Sequence, residues 1–271
     1  LNKNATYYRR NFIFFERRSR KSLLDIWAKH KRSFPLKGNL TEAHRDAFLM
    51  DYKDWYIKNH SEVFRKVWLR ENTNGPERKK YGEKKALKEE DAYVAFLAVN
   101  ADKWAEILLD VEVDTFHAVL ANKTAVRGVE KVRIYGSEGA MIKDLKSTIG
   151  LHPRQYNAYL KQSEYMTEKQ AAKLMQQKLN YRAQTIARTE RTRAISYAQL
   201  EAKKSLGKEL GIPIEKYWST VGDKRVDKKV CERNGNSDFI ALDKDFPSGH
   251  GQPPGHPRCR CALDFRVAKG A

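Results

Sequence analysis

The chain has three cysteines in 271 residues, Cys231, Cys259 and Cys261, and all lie towards its C-terminal end. His256 stands three residues before Cys259, within Pro253-Pro254-Gly255-His256-Pro257-Arg258-Cys259-Arg260-Cys261. Thiolates and neutral imidazole are the donors of tetrahedral zinc sites, and Cys231, His256, Cys259 and Cys261 can supply one closed shell. Such a shell is structural, because no position is left for water or substrate. On a strand Cys259 and Cys261 share a face, while Cys231 must return to them across a loop. Two other states of the thiols stay open: a disulfide from Cys231 to Cys259 or Cys261, and three buried free thiols.

The same stretch supports a rival chemistry. His250, His256, Asp223, Asp243 and Asp245 could bind a catalytic metal and activate water, as in a metal-dependent nuclease or other DNA-processing enzyme. No paired catalytic histidine motif accompanies them, and His256 is better used with the cysteines. The expected reading is therefore not an enzyme.

Short strands and one long helix must position these residues. Lys216-Tyr217-Trp218-Ser219-Thr220, Phe239-Ile240-Ala241-Leu242 and Cys261-Ala262-Leu263-Asp264-Phe265-Arg266-Val267 read as strands, and Gly222-Asp223-Lys224-Arg225 as a turn. Upstream, Thr167 and Gln170 form a capping box that opens a helix closed at Gly207. Ala171, Leu174, Met175, Leu179, Ala183, Ile186 and Ala187 give it a continuous apolar face. Glu190 lies one turn from Ile186 and Ala194 on that face and wants a cation; Arg260 is the candidate, the alternative being an exposed pair along the helix. Pro153 suits the first turn of a shorter helix ending near Ser163.

The N-terminal part reads as helical. Phe12, Phe15, Leu23, Ile26 and Trp27 recur at helical spacing, as do Phe48, Tyr52, Trp55, Tyr56, Val63, Val67 and Trp68 over about 41–70. Aromatics at that spacing are expected in a core rather than stacked on bases. The whole is α+β: a mainly α-helical N-terminal part, then a long helix packed on a small C-terminal β-module with a Cys/His clasp. Three regions follow in chain order: helical 1–121, connecting 122–150 and a C-terminal domain over 151–271. Gly136-Ser137-Glu138-Gly139-Ala140 lacks the lysine and spacing of a phosphate loop.

Lysine and arginine exceed aspartate and glutamate by 53 to 34, a formal charge of +19. That excess points to a polyanion, nucleic acid above all. Arg17, Arg18, Arg20, Lys21, Lys29, Lys31 and Arg32, on the non-apolar sides of the first helix, are the expected contacts with double-stranded DNA. No apolar run approaches the ~20 residues that cross a bilayer, so no membrane is expected.

Three blocks carry a resemblance. They are Tyr181-Arg182-Ala183-Gln184-Thr185-Ile186-Ala187-Arg188-Thr189-Glu190, then Trp218 with Gly222-Asp223-Lys224-Arg225-Val226, then the closing Pro253 to Cys261 run. Their order and spacing resemble the phage head morphogenesis domain, the family of the bacteriophage Mu F protein. The resemblance implies a phage or prophage minor capsid protein in head assembly or genome packaging and delivery. Its implied partners are portal and capsid proteins and packaged DNA, with no small-molecule substrate. Its implied place is the virion, at the capsid interior or portal vertex, after assembly in the host cytoplasm. Family members often carry Cys-x-x-Cys after the Asp-x-Arg turn. Here Glu232-Arg233-Asn234 follows Cys231, which excludes a four-cysteine site and leaves Cys3His.

Overall fold

The computed structural model describes residues 12–34, 40–72, 93, 94, 97, 98, 100–119 and 145–268. Residues 73–76, where Asn72-Thr73-Asn74-Gly75-Pro76 reads as a linker, lie outside them, as do residues 122–144 of the connecting segment with the Gly136–Gly139 stretch.

Helices dominate. We label them α1 (Ile13–Ser33), α2 (Glu42–Asn72), α3 (100–119), α4 (Pro153–Ser163) and α5 (Glu168–Leu210). The aromatics of α1 and α2 are core, as their spacing implies: Phe15, Trp27, Phe48, Tyr52, Trp55, Val67 and Trp68 are all buried. α4 starts at Pro153, and the His152 side chain accepts from the Arg154 amide at 3.1 Å. At the start of α5, Gln170 Oε1 accepts the Thr167 amide at 2.9 Å and Thr167 Oγ1 accepts the Gln170 amide at 3.4 Å. This is the reciprocal box that satisfies two orphan donors of a helix start. The helix does not close at Gly207. It runs to Leu210 and stops at Gly211, whose φ of +64° is a left-handed exit that glycine makes without strain.

The chain forms two compact units, each assembled from separated segments. The helical unit comprises Ser19–Ile57 and Ala98–Gln184. In it Trp55 stacks on Trp104 at 5.1 Å, and the Trp27 indole donates to Tyr52 Oη at 3.0 Å. Fully buried Glu112 accepts from Tyr52 Oη at 3.2 Å, the Gly150 amide at 2.9 Å and Arg182 at 3.4 Å. Burial raises the Glu112 pKa despite the opposing Arg182 charge. His30, also buried, stacks on Phe48 at 3.7 Å with its Nε2 3.0 Å from Asp51.

The sheet-bearing unit comprises Leu1–Arg18, Lys58–Leu97 and Thr185–Ala271. Its antiparallel sheet has the order β2-β1-β3, with β1 over Ile214–Ser219, β2 over Ile240–Ala241 and β3 over Ala262–Val267. Trp218 stands opposite Leu263, and both are fully buried with Leu200 of α5, Phe246 and the three cysteines in one core. Gln199 of α5 donates to the Leu263 carbonyl at 3.4 Å. The long helix therefore packs on the small sheet. Phe64 stacks on Trp68 at 5.6 Å and on Tyr93 at 3.8 Å. Buried Glu16 pairs with Arg188 at 2.8 Å and Arg191 at 2.7 Å on α5. Lys216 is buried from β1 and donates to the carbonyls of Leu242 at 2.9 Å and Gly251 at 2.7 Å, which ties down the loop after β2. No helix among the described residues is long and apolar enough to cross a membrane.

Candidate metal centre

Cys231 lies within a single π-helical turn, Lys228–Glu232, opened by Asp227, whose carboxylate accepts the Val230 amide at 2.8 Å. His256 and Cys259 come from the loop before β3, where the Cys259 amide donates to the His256 carbonyl at 3.2 Å and closes a tight turn. Gly255 allows this turn its close seat: a Cβ there would stand 2.4 Å from Val230 Cγ1 and 3.4 Å from the Trp218 ring. The turn is anchored to α5. Thr189 Oγ1 accepts the Arg258 amide at 2.9 Å, and Thr192 Oγ1 donates to the Cys259 carbonyl at 3.1 Å. Arg258 takes φ of +63°, a conformation costing a non-glycine residue roughly 1 kcal/mol, and the Thr189 bond holds it there.

These elements bring Cys231, His256 and Cys259 together, with their ligand atoms all within 4.8 Å of one another. The Cys231 and Cys259 sulfurs are 3.6 Å apart, and His256 Nε2 is 3.1 Å from Cys231 Sγ. A disulfide needs about 2.05 Å, so these thiols are unbonded. Two sulfurs on one tetrahedral zinc, at Zn–S of about 2.3 Å, would stand about 3.8 Å apart, close to what is seen. His256 Nδ1 lies 2.9 Å from the Pro257 carbonyl. A proton on Nδ1 donated there leaves the Nε2 lone pair facing the thiols, the tautomer a ligand needs.

Cys261 lies outside that mutual set and is buried in the same core as Cys231 and Cys259. The protons are unevenly held. Hydrogen bonds from the Cys231 and Cys261 thiols hold Cys259 well below the usual thiol range. The bond to Cys259 pushes Cys231 up to about 12, and bonds to Cys231 and Cys259 push Cys261 up. His256 is raised, chiefly by its hydrogen bond with Cys259. Cys231, His256 and Cys259 are thus a donor set that could hold a metal ion, which would displace their protons.

The expected Glu190–Arg260 pair does not form. Arg260 instead makes a two-point pair with Asp223, at 2.5 and 2.6 Å, which holds that carboxyl well below the usual range. Glu190 meets His60 at 3.3 Å and Arg193 at 3.0 Å. Burial pushes the Glu190 pKa up, but these partners outweigh it and the net shift is downward. The physical reason is proximity: the Gly222-Asp223 turn beside the cysteine loop offers Arg260 a carboxylate, while α2 offers Glu190 an imidazole. Thr189 and Thr192 are what join the motif on α5 to the cysteine loop. Both are helix-interior threonines, a type that already satisfies its hydroxyl on a preceding carbonyl, here those of Thr185 and Arg188.

The donors of the rival nuclease reading are not assembled. His250 Nδ1 faces Ser248 Oγ at 2.9 Å, Asp223 is taken by Arg260, and the three-residue cluster above is the one ligand group among the described residues. The seven expected DNA contacts are not one free basic face. Arg18 pairs with Glu62 and lies over the Phe15 ring, Lys29 pairs with Asp51 at 2.7 Å, and Lys31 is half-buried, burial lowering its pKa against the pull of Glu112. Arg20 is also half-buried, which leaves Arg17, Lys21 and Arg32 exposed and outside these pairs.

Residues 140–264 match the family model described as Phage Mu protein F like protein. The matched stretch contains α4, α5, the turn bearing Cys231 and the cysteine loop. That segment is a Phage Mu F-like head morphogenesis domain. The family is one of phage structural head proteins and implies a phage minor head protein with capsid partners. Comparison with curated proteins and with solved structures gave no match.

Proposed function

We propose that the protein is a minor head protein that sits at the portal vertex or capsid interior and contacts packaged double-stranded DNA. The observation that supports it best is the match over residues 140–264, whose helix and cysteine loop are joined through Thr189 and Thr192. Residues 151–271 are the head-morphogenesis domain, and residues 1–121 supply further contacts with portal or DNA. Arg17, Lys21 and Arg32 are the cations of α1 best placed for a phosphate backbone, because they remain exposed. The role is structural, in head assembly or genome delivery, with assembly in the host cytoplasm.

The metal is zinc. Cys231, His256 and Cys259 hold it, and Cys261 moves in as the fourth ligand to give a Cys3His shell. Its contribution is to fold and fasten the small sheet and its loops, which have little core of their own. The functional reading is tested by fractionating particles: the protein should copurify with portal-containing heads in a few copies each. Exclusion from such particles, together with metal-dependent cleavage of DNA by the purified chain, would overturn it.

A further inference from the structure

We propose that the turn between β1 and β2, residues 222–236, is a contact surface for the phosphate backbone of double-stranded DNA. The proposal rests on the reading that the protein lies beside packaged DNA, and it names a surface that the N-terminal cations do not include.

Residues 224–233 carry five cations, Lys224, Arg225, Lys228, Lys229 and Arg233, against Asp227 and Glu232. Exposure alone would make this an ordinary solvated run. What sets it apart is how its carboxylates are used. Asp223, just before the run, is engaged by the Arg260 guanidinium at two points and by Arg225 at 3.2 Å. Asp227 is spent on the Val230 amide. Lys224, Lys228, Lys229 and Arg233 are exposed and make no ion pair among the described residues. Glu232 is the one exposed acid among them. The turn thus sets four unpaired cations against Glu232 and Asp227, whose hydrogen bond to the Val230 amide leaves its charge in place.

The cations are also held in place. Lys224 and Lys228 both line a concavity of about 300 Å³, with Gly222, Asn236 and Glu232 also on its wall. Lys228 and Lys229 stand on the same π-helical turn as Cys231, which is buried beside Cys259. A backbone fixed at Cys231 presents these lysines with little freedom left to lose, whereas a flexible tail would have to be ordered on binding. Single π-helical turns of this kind are rare and concentrate at functional sites. A surface that offers only charge suits phosphates and carries no base readout.

The test measures binding of the full zinc-loaded chain to a labelled 30-base-pair duplex by anisotropy, between 50 and 200 mM salt. Three variants are compared: K224Q/K228Q/K229Q/R233Q, R17Q/K21Q/R32Q and E232Q. Each phosphate contact adds about 0.9 to the slope of log K against log salt. The quadruple variant should therefore lose about 3–4 of slope and bind about 30–100-fold more weakly at 100 mM salt. E232Q should bind about 2–5-fold more tightly, a gain that damage to the fold cannot produce. Wild-type slope and affinity in the quadruple variant, or unchanged or weaker binding by E232Q, overturns this surface, and a loss confined to R17Q/K21Q/R32Q leaves DNA contact standing elsewhere. No binding by the wild-type chain overturns both the surface and the DNA contact, while the head-protein reading stands or falls on the particle experiment. Should the quadruple variant fail to retain its zinc, K224Q and K229Q singly carry the test, each expected to lose about 1 of slope.

Discussion

At the scale of single residues, the chemistry concentrates in four side chains whose protons compete for one sulfur. A metal ion resolves that competition by replacing the protons. Purified without chelator, the protein should carry about one zinc per chain by elemental analysis, with its thiols unreactive until chelator is added. Cys259→Ser should abolish binding, since it removes one of the three ligand atoms that already lie within 4.8 Å of one another. Zero metal together with one disulfide would end the zinc reading. His30 gives a prediction of another kind. Burial lowers its pKa from 6.5 to about 4, despite the attraction of Asp51; Lys29 and His44 add to the lowering. The unfolded chain therefore takes up a proton at His30 near pH 6.5, while the folded chain resists until about pH 4. Stability from this site is complete above pH 6.5 and is lost as pH falls towards 4, by about 2–3 kcal/mol. Urea titrations at pH 7 and pH 5 should show the decline, and His30→Gln should flatten that part of the profile.

At the scale of elements, the threonine pair on α5 joins helix to loop. Thr189→Val with Thr192→Val removes two buried hydrogen bonds without changing side-chain volume much, and should cost about 1–3 kcal/mol. Circular dichroism at 25 °C should show the helix content kept, with the urea midpoint lowered; an unchanged midpoint would mean the anchors carry no weight. Helix ends were legible in the sequence where the signal is local. The Pro153 start and the Thr167–Gln170 box involve neighbours three residues apart, and they stand where the pattern puts them. The C-terminal end of α5 shows the limit. Gly207 and Gly211 are the same residue type four apart, and which one turns left-handed depends on how Ile212 and Pro213 lead into β1. The clasp trio was legible because few residue types bind metal through sulfur. The partner of Glu190 was not, because a buried carboxylate advertises only a need for a donor. His60 supplies it from 130 positions away in the chain, where it reads as one more polar residue on a charged helix.

At the scale of the whole molecule, the family-matched stretch is not a self-contained piece. The sheet-bearing unit takes residues 1–18 and 58–97 as well as 185–271. Glu16 neutralises Arg188 and Arg191, and Phe64 packs with Tyr197. A fragment of residues 140–271 alone should leave Arg191 buried without its carboxylate and the aromatic face of α5 uncovered. We expect it to lack a cooperative thermal transition by calorimetry, even with zinc, where the full chain shows one. A sharp transition in the fragment would show that the N-terminal segments are dispensable for folding.

The discontinuous build of that unit also sets an order of events during synthesis. Residues 12–18 leave the ribosome well before the helix and sheet they pack on. The early segment must wait, with Phe12 and Phe15 uncovered, until residues 185–268 have been made. Contacts between such distant segments close slowly, since loop closure comes before any reward in packing. Nascent chains should therefore remain sensitive to protease and available to chaperones until that later segment has emerged. Metal uptake, which needs Cys231 and the later Cys259 together, can then come no earlier than that.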